Sequence, residues 1–206
     1  MVQGLVKGAL SALLLTAFSA GAVLAQGSAQ AGQGKVATCA ACHGASGNDS
    51  LLPNVPKLGG QGERYLLKQL QDIKADIRKV PLMAGQLTAL SDQDLADIAA
   101  YFASLDRPVG ATEESKLALG RELYRAGNAN IGAAACTACH QPDGKGLAAA
   151  GYPSLTGQDT GYVEQQLKSF RARERMNDDA EVMRSIAERL SDAEIAAVAS
   201  YVSGLR

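Results

Sequence analysis

Cys39-Ala40-Ala41-Cys42-His43 recurs as Cys136-Thr137-Ala138-Cys139-His140, and these two pentapeptides decide how the chain is read. They hold all four cysteines and both histidines of the 206 residues. Two thiols three positions apart can each add across one vinyl group of a single haem, while the adjacent imidazole reaches the iron as proximal ligand. Each pentapeptide therefore suits one covalently bound haem c. Cys39 and Cys42 would anchor the first and Cys136 and Cys139 the second, with His43 and His140 as axial nitrogens. Two disulfides, a four-cysteine zinc site or a thioredoxin-like pair would also use these cysteines. None of them explains a histidine placed directly after both pairs.

Outward from the motifs, the chain repeats itself. Pro56-x-Leu58-x-Gly60-Gln61 returns 97 positions later as Pro153-x-Leu155-x-Gly157-Gln158. Tyr65, Leu66, Leu70 and Ile73 return as Tyr162, Val163, Leu167 and Phe170, spaced as one buried helical face. Beyond a three-residue insertion the offset becomes 100, and Met83, Leu90, Ser91, Asp92, Ile98, Tyr101 and Leu105 match Met183, Leu190, Ser191, Asp192, Val198, Tyr201 and Leu205. The last helix of each repeat has a hydroxyl cap and a first-turn carboxylate, Ser91 with Asp94 and Ser191 with Glu194. Its apolar stripe, Leu95-Ile98-Phe102-Leu105 or Ile195-Val198-Val202-Leu205, reads as core. Upstream of the cysteines the repeat is imperfect, and Gly127 to Ala135 looks like an inserted loop.

Composition sets limits on function. Hydrophobic residues make up 47% of the chain but aromatics only 4%, with no tryptophan. Two small helical units with so few large side chains need another apolar centre, which a covalently held haem supplies. A formal net charge of −1 argues against nucleic acid as a partner. The mixed run from Arg171 to Arg175 reads as a solvated loop rather than a docking surface.

The second axial ligand separates electron transfer from chemistry at the iron, because a bound methionine sulfur closes the metal and raises its potential. Both histidines are already used, so an intramolecular bis-histidine iron is ruled out by inventory. Met83 has no rival in the first half. In the second, Met176 and Met183 lie 36 and 43 residues after His140, against 40 between His43 and Met83. Register favours Met183, since Met83 and Met183 each stand seven residues before the Leu-Ser-Asp that opens the last helix. No catalytic residue is assigned.

Residues 1–25 read as an export leader: Lys7 is basic, Ala9 to Phe18 apolar, and Val23-Leu24-Ala25 a cleavage site, with the cut expected after Ala25. An uncleaved anchor is the competing reading of the same stretch. Asp106 to Gly110 breaks the helical pattern, and Thr112-Glu113-Glu114 opens the next helix. The expected division is a leader at 1–25, a first domain at 26–108 and a second at 109–206.

The spacing from each CxxCH to its proline and methionine resembles the class I cytochrome c fold. That resemblance implies that the carbonyls of Pro56 and Pro153 orient His43 and His140, and that the methionine lies before the last helix. More narrowly, CAACHG, PKLGGQGERYLLKQLQDIK and LSDQDLADIAAYFASL, followed by CTACHQPDGKG, YPSLTGQ and LSDAEIAAVASYVSGLR, resemble the cytochrome c4 family over nearly the whole mature chain. The resemblance implies an all-α protein of two tandem class I cytochrome c-like domains, each wrapped around one covalent haem and related by pseudo-twofold symmetry. It also implies a periplasmic carrier running from a cytochrome bc complex to a terminal haem-copper oxidase, with peripheral membrane association left open. The sequence departs from its own first motif at Gln141-Pro142, where Gly44 stands in the first half. Two alternatives stay open: a dihaem electron-accepting subunit of a dehydrogenase, as in flavocytochrome c, and a dihaem peroxidase. The peroxidase would need an open or histidine-ligated iron, against which the ligand inventory argues.

Overall fold

The computed structural model describes Met1, residues 26–50 and residues 52–206. Apart from Met1, the expected leader lies outside the described residues. Among the described residues the protein is helical, with two isolated antiparallel bridges and no strand. No described helix is long and apolar enough to cross a membrane.

The first lobe is built on α4 (Asp92–Ala103). Ser91 and Asp94 form a reciprocal capping box at its start, which satisfies two backbone N–H groups that otherwise have no helical partner. Leu95, Ile98 and Phe102 face inward and are buried. Burying side chains of this size stabilises by about 1.5–3 kcal/mol each. The short helix α1 (Ala29–Gln33) crosses α4, and α3 (Glu63–Lys74) packs on another side. Between them lies α2 (Ala40–His43), a single turn made of the first motif. The α1–α4 crossing is close because position 32 is glycine: a Cβ there would collide with the Asp97 carbonyl.

The second lobe repeats this plan. Here α5 (Glu114–Ala126) takes the place of α1, α6 (Thr137–His140) that of α2, α7 (Thr160–Arg171) that of α3, and α9 (Asp192–Ser203) that of α4. Gly120 meets the Ala197 carbonyl as Gly32 meets that of Asp97. Ser191 and Glu194 form the matching capping box. One further helix, α8 (Val182–Ala187), has no counterpart beyond the 3-10 turn Pro81–Met83. The segment after Gly127 is anchored: a 3-10 turn spans Ala129–Ile131, Asn128 bonds to Glu194, and Ala133 packs with Leu123, Leu190 and Ile195.

Polar side chains join the lobes. The Gln61 amide bonds to both N and O of Ser154, at 2.7 and 3.0 Å, and the Gln158 amide does the same to Lys57, at 2.7 and 2.9 Å. Gln61 and Gln158 are repeat equivalents, as are Lys57 and Ser154, so the pairing has pseudo-twofold symmetry. The expectation of a solvated loop at 171–175 fails at Arg175, which is 9% exposed and sits at this boundary. Arg171 and Arg173 do form surface ion pairs, with Asp192 and with Glu181 and Glu188.

Candidate haem sites

Each CxxCH motif forms one helical turn. His43 N donates to Cys39 O at 2.9 Å, and His140 N to Cys136 O at 2.9 Å. Cysteines three apart in such a turn share one helix face. None of the four is joined in a disulfide. Cys39 packs against the first lobe's core cluster and Cys136 against the second's. Before a haem is attached, burial pushes the Cys39 thiol up and the Cys136 thiol up to about 11. A zinc site would need thiolates converging from both pairs. Among the described residues no three His, Cys, Asp or Glu side chains converge on a metal position.

Both imidazoles are buried and held in the same way. His43 Nδ1 lies 2.9 Å from the Pro56 carbonyl oxygen, and His140 Nδ1 lies 2.9 Å from that of Pro153. A carbonyl only accepts, so the ring proton is on Nδ1 and the lone pair on Nε2. Burial lowers both histidine pKa values, with the proline carbonyls acting in the opposite direction. The result is a neutral imidazole with a fixed tautomer, which is what a metal-binding histidine requires. With two thiols one turn away, this donor set fits a haem c in each lobe.

The chain leaves each motif through a left-handed residue. Gly44 has φ 79° and ψ 165°, a region open to glycine. Its equivalent Gln141 has φ 66° and ψ 157°, where a Cβ is strained. The Tyr124 hydroxyl donates to Gln141 O at 2.6 Å and pins the strained residue from the neighbouring helix.

The methionines occupy different settings. Met83 ends the 3-10 turn Pro81–Met83 and is half-buried, with its N donating to Val80 O at 2.8 Å. Met183 lies in α8 and is also half-buried, whereas Met176 is 59% exposed. Just before Met183 the backbone is left-handed at Ala180 and Glu181. Asp178 braces this bend by accepting from Arg184 N at 3.0 Å and Arg184 Nε at 2.7 Å.

Comparison with known proteins matches this two-lobe plan. The Cytochrome c family model matches residues 29–106 and again 118–206. The chain belongs to the cytochrome c family, and within it to the cytochromes c4. It is 55% identical to cytochrome c4 of Pseudomonas aeruginosa over 95% of this chain and 98% of that protein. The crystal structure of reduced recombinant cytochrome c4 from Pseudomonas stutzeri superposes with a TM-score of 0.85 at 52% identity, covering 87% of this chain and all of that one. A thiosulfate dehydrogenase electron acceptor of Stutzerimonas stutzeri is 34% identical over 81% of this chain and 78% of that protein. The chain is thus an electron-transfer protein and not an enzyme, and it carries two covalent haems c on its cysteine pairs.

The sequence does not reveal which polar side chains are buried where the lobes meet. Gln61, Gln69, Asp72, Arg78, Gln158, Arg175 and Asn177 are all buried polar side chains near the lobe boundary. The signal was present in the repeat: Gln69 and Arg78 recur 97 positions later as Gln166 and Arg175.

Proposed function

We propose that this chain is a periplasmic single-electron shuttle whose irons are closed by His43 with Met83 and by His140 with Met183. The observation that carries this reading is the equal, buried His–Pro pairing in both lobes, joined to a half-buried methionine at matching register. When bound, each haem cycles between ferric and ferrous iron. The protein's part is to hold neutral imidazoles in fixed orientation, exclude water from them, and keep both axial positions filled so that no small molecule competes. Met176 is mostly exposed, which supports Met183 as the sulfur donor. Pro56 and Pro153 act through the imidazoles they orient. The division into 26–108 and 109–206 fits the described linker, since Gly110 N already bonds to Ser203 O and Glu113 N to Ser200 Oγ in the second lobe.

For the route of the electron we take a cytochrome bc complex as donor and a terminal haem-copper oxidase as acceptor, in the periplasm after cleavage following Ala25. Stopped-flow reduction by a purified bc complex, followed by oxidation with the oxidase, tests it: both steps should outpace those of a mismatched donor. A second reading has the same chain accept electrons from a dehydrogenase, and the 34% identical thiosulfate dehydrogenase electron acceptor favours it. Faster reduction by a thiosulfate-oxidising dehydrogenase than by the bc complex would choose the second reading.

A further inference from the structure

Met183 lies on α8, a helix of six residues that is too short to hold itself together in water. The chain around it must fix it. At the far end Ala187 and, just beyond the helix, Leu190 are buried, so that end is packed into the second lobe. The near end, where Met183 sits, lacks such an anchor: Val182 is exposed, and Glu181 at the N-cap position gives no side-chain bond to the helix. Asp178 supplies the missing cap from outside. One of its carboxylate oxygens accepts from Arg184 N at 3.0 Å, the third N–H of the helix, and the other accepts from Arg184 Nε at 2.7 Å. Arg184 also donates to the Asp178 carbonyl at 3.4 Å and to Glu181 at 3.3 Å. Both members of the pair are largely shielded from water, so separating them leaves the Asp178 carboxylate without its cation.

The segment that this pair closes works against it. Ala180 (φ 52°, ψ 26°) and Glu181 (φ 58°, ψ 22°) are consecutive left-handed residues, a conformation disfavoured for any residue with a Cβ. Such strain persists only where the surroundings over-determine it, and the Asp178–Arg184 pair spans both residues. Arg173 also pairs with Glu181, but on the surface, where an ion pair contributes little. The first lobe is built otherwise. Met83 ends a 3-10 turn begun by Pro81, whose ring fixes its own backbone angle, and Ala84 stands where Arg184 stands. Val80 to Leu90 carries no charged residue, so no ion pair holds that turn.

We propose that Asp178 and Arg184 are positioning residues for the sulfur ligand of the second iron: their ion pair latches a strained strap, residues 179–182, that keeps Met183 in place. The first iron has no latch of this kind. The proposal rests on Met183 as the donor in the second lobe, as proposed above. Opening the latch releases the strain and frees Met183, which leaves the second axial position to an external nitrogen ligand.

Imidazole titration of the ferric holoprotein tests this. It is read from the sulfur-to-iron absorption band and from the hyperfine-shifted haem methyl resonances, which report the two haems separately. An external ligand binds only while Met183 is off, so its apparent affinity scales with the open fraction. Asp178→Asn weakens the latch and should raise the imidazole affinity of the second haem by about tenfold, with the first at its wild-type value. Ala180→Gly eases the strain with the latch intact and should lower that affinity by about threefold. Because it favours the closed strap, this second variant does not act by unfolding the lobe. Wild-type affinity at the second haem in both variants, with Asp178→Asn lowering only thermal stability, would overturn the proposal and leave a purely structural brace. An equal rise at both haems would overturn it as well, since the latch belongs to the second lobe alone. Absence of the second haem's band from the wild type would break the ligand reading and this inference together, whereas an intact band with unmoved affinities breaks only this inference.

Discussion

The two lobes hold their histidines alike, each Nδ1 2.9 Å from its proline carbonyl, yet differ in how the chain around it is held. In the first lobe the motif ends on a glycine, and the Met83 turn sits in a largely exposed stretch with Leu82 72% exposed. In the second lobe the motif ends on a strained glutamine pinned by Tyr124, and the methionine rides on a helix. An ion pair between Arg184 and Asp178, with side chains 11% and 6% exposed, braces that helix. What stays constant between the lobes is the chemistry that serves the iron. What varies is the scaffolding, and the second lobe has more of it.

The largest effect should come from removing a haem. Replacing Cys39 and Cys42 together with alanine takes the covalent centre from the first lobe only. That lobe should lose its cooperative transition in calorimetry, while the second, with its larger buried core cluster around Tyr124 and Tyr201, keeps a weakened one. An unchanged first-lobe transition would contradict the view of haem as missing core.

Next is the brace. Asp178→Ala leaves the largely buried Arg184 with only the exposed Glu181 carboxylate, at 3.3 Å, and should cost up to about 3 kcal/mol in denaturant unfolding, confined to the second lobe. Burial would raise the Asp178 pKa, but the bonds from Arg184 outweigh it and hold the carboxyl below its usual value. A depressed folded pKa means the stabilisation is complete above the unfolded value of about 4 and is lost as pH falls through the folded one. The wild-type second lobe should therefore weaken below about pH 4, and Asp178→Asn should flatten that part of the profile.

Smaller effects sharpen the contrast at the motif exit. Gln141→Gly relieves a left-handed residue and should stabilise the second lobe by about 1 kcal/mol. Gly44→Gln should destabilise the first by more, since a Cβ there meets Asp49 O at 2.5 Å. Of about the same size, Ser91→Ala and Ser191→Ala should each cost about 1 kcal/mol, equally in the two lobes, because both helices start on a reciprocal capping box.

Much of this was legible in the sequence, for identifiable reasons. CxxCH carries its chemistry in five residues, the capping boxes are local, and the apolar stripes of α4 and α9 follow from helical period alone. The lobe boundary was not legible in this way. Periodicity finds the apolar face of α3 through Leu66, but it does not show that Gln69 and Asp72 on another face are covered by a second lobe. Arg175 illustrates the difficulty: surrounded by Arg171, Arg173 and Glu174, it reads as surface, and only its pairing with Arg78 at the repeat offset hints at burial. The bend at Ala180 and Glu181 was also hidden, since neither residue type announces a left-handed backbone.

The central claim is that each lobe holds a closed His/Met iron, with Met183 the donor in the second. Absorption spectra of the oxidised Met183→Ala and Met176→Ala holoproteins test it most directly. The account predicts that Met183→Ala loses the sulfur-to-iron band of one haem while Met176→Ala keeps both. Retention of both bands in Met183→Ala, with one lost in Met176→Ala, would contradict it.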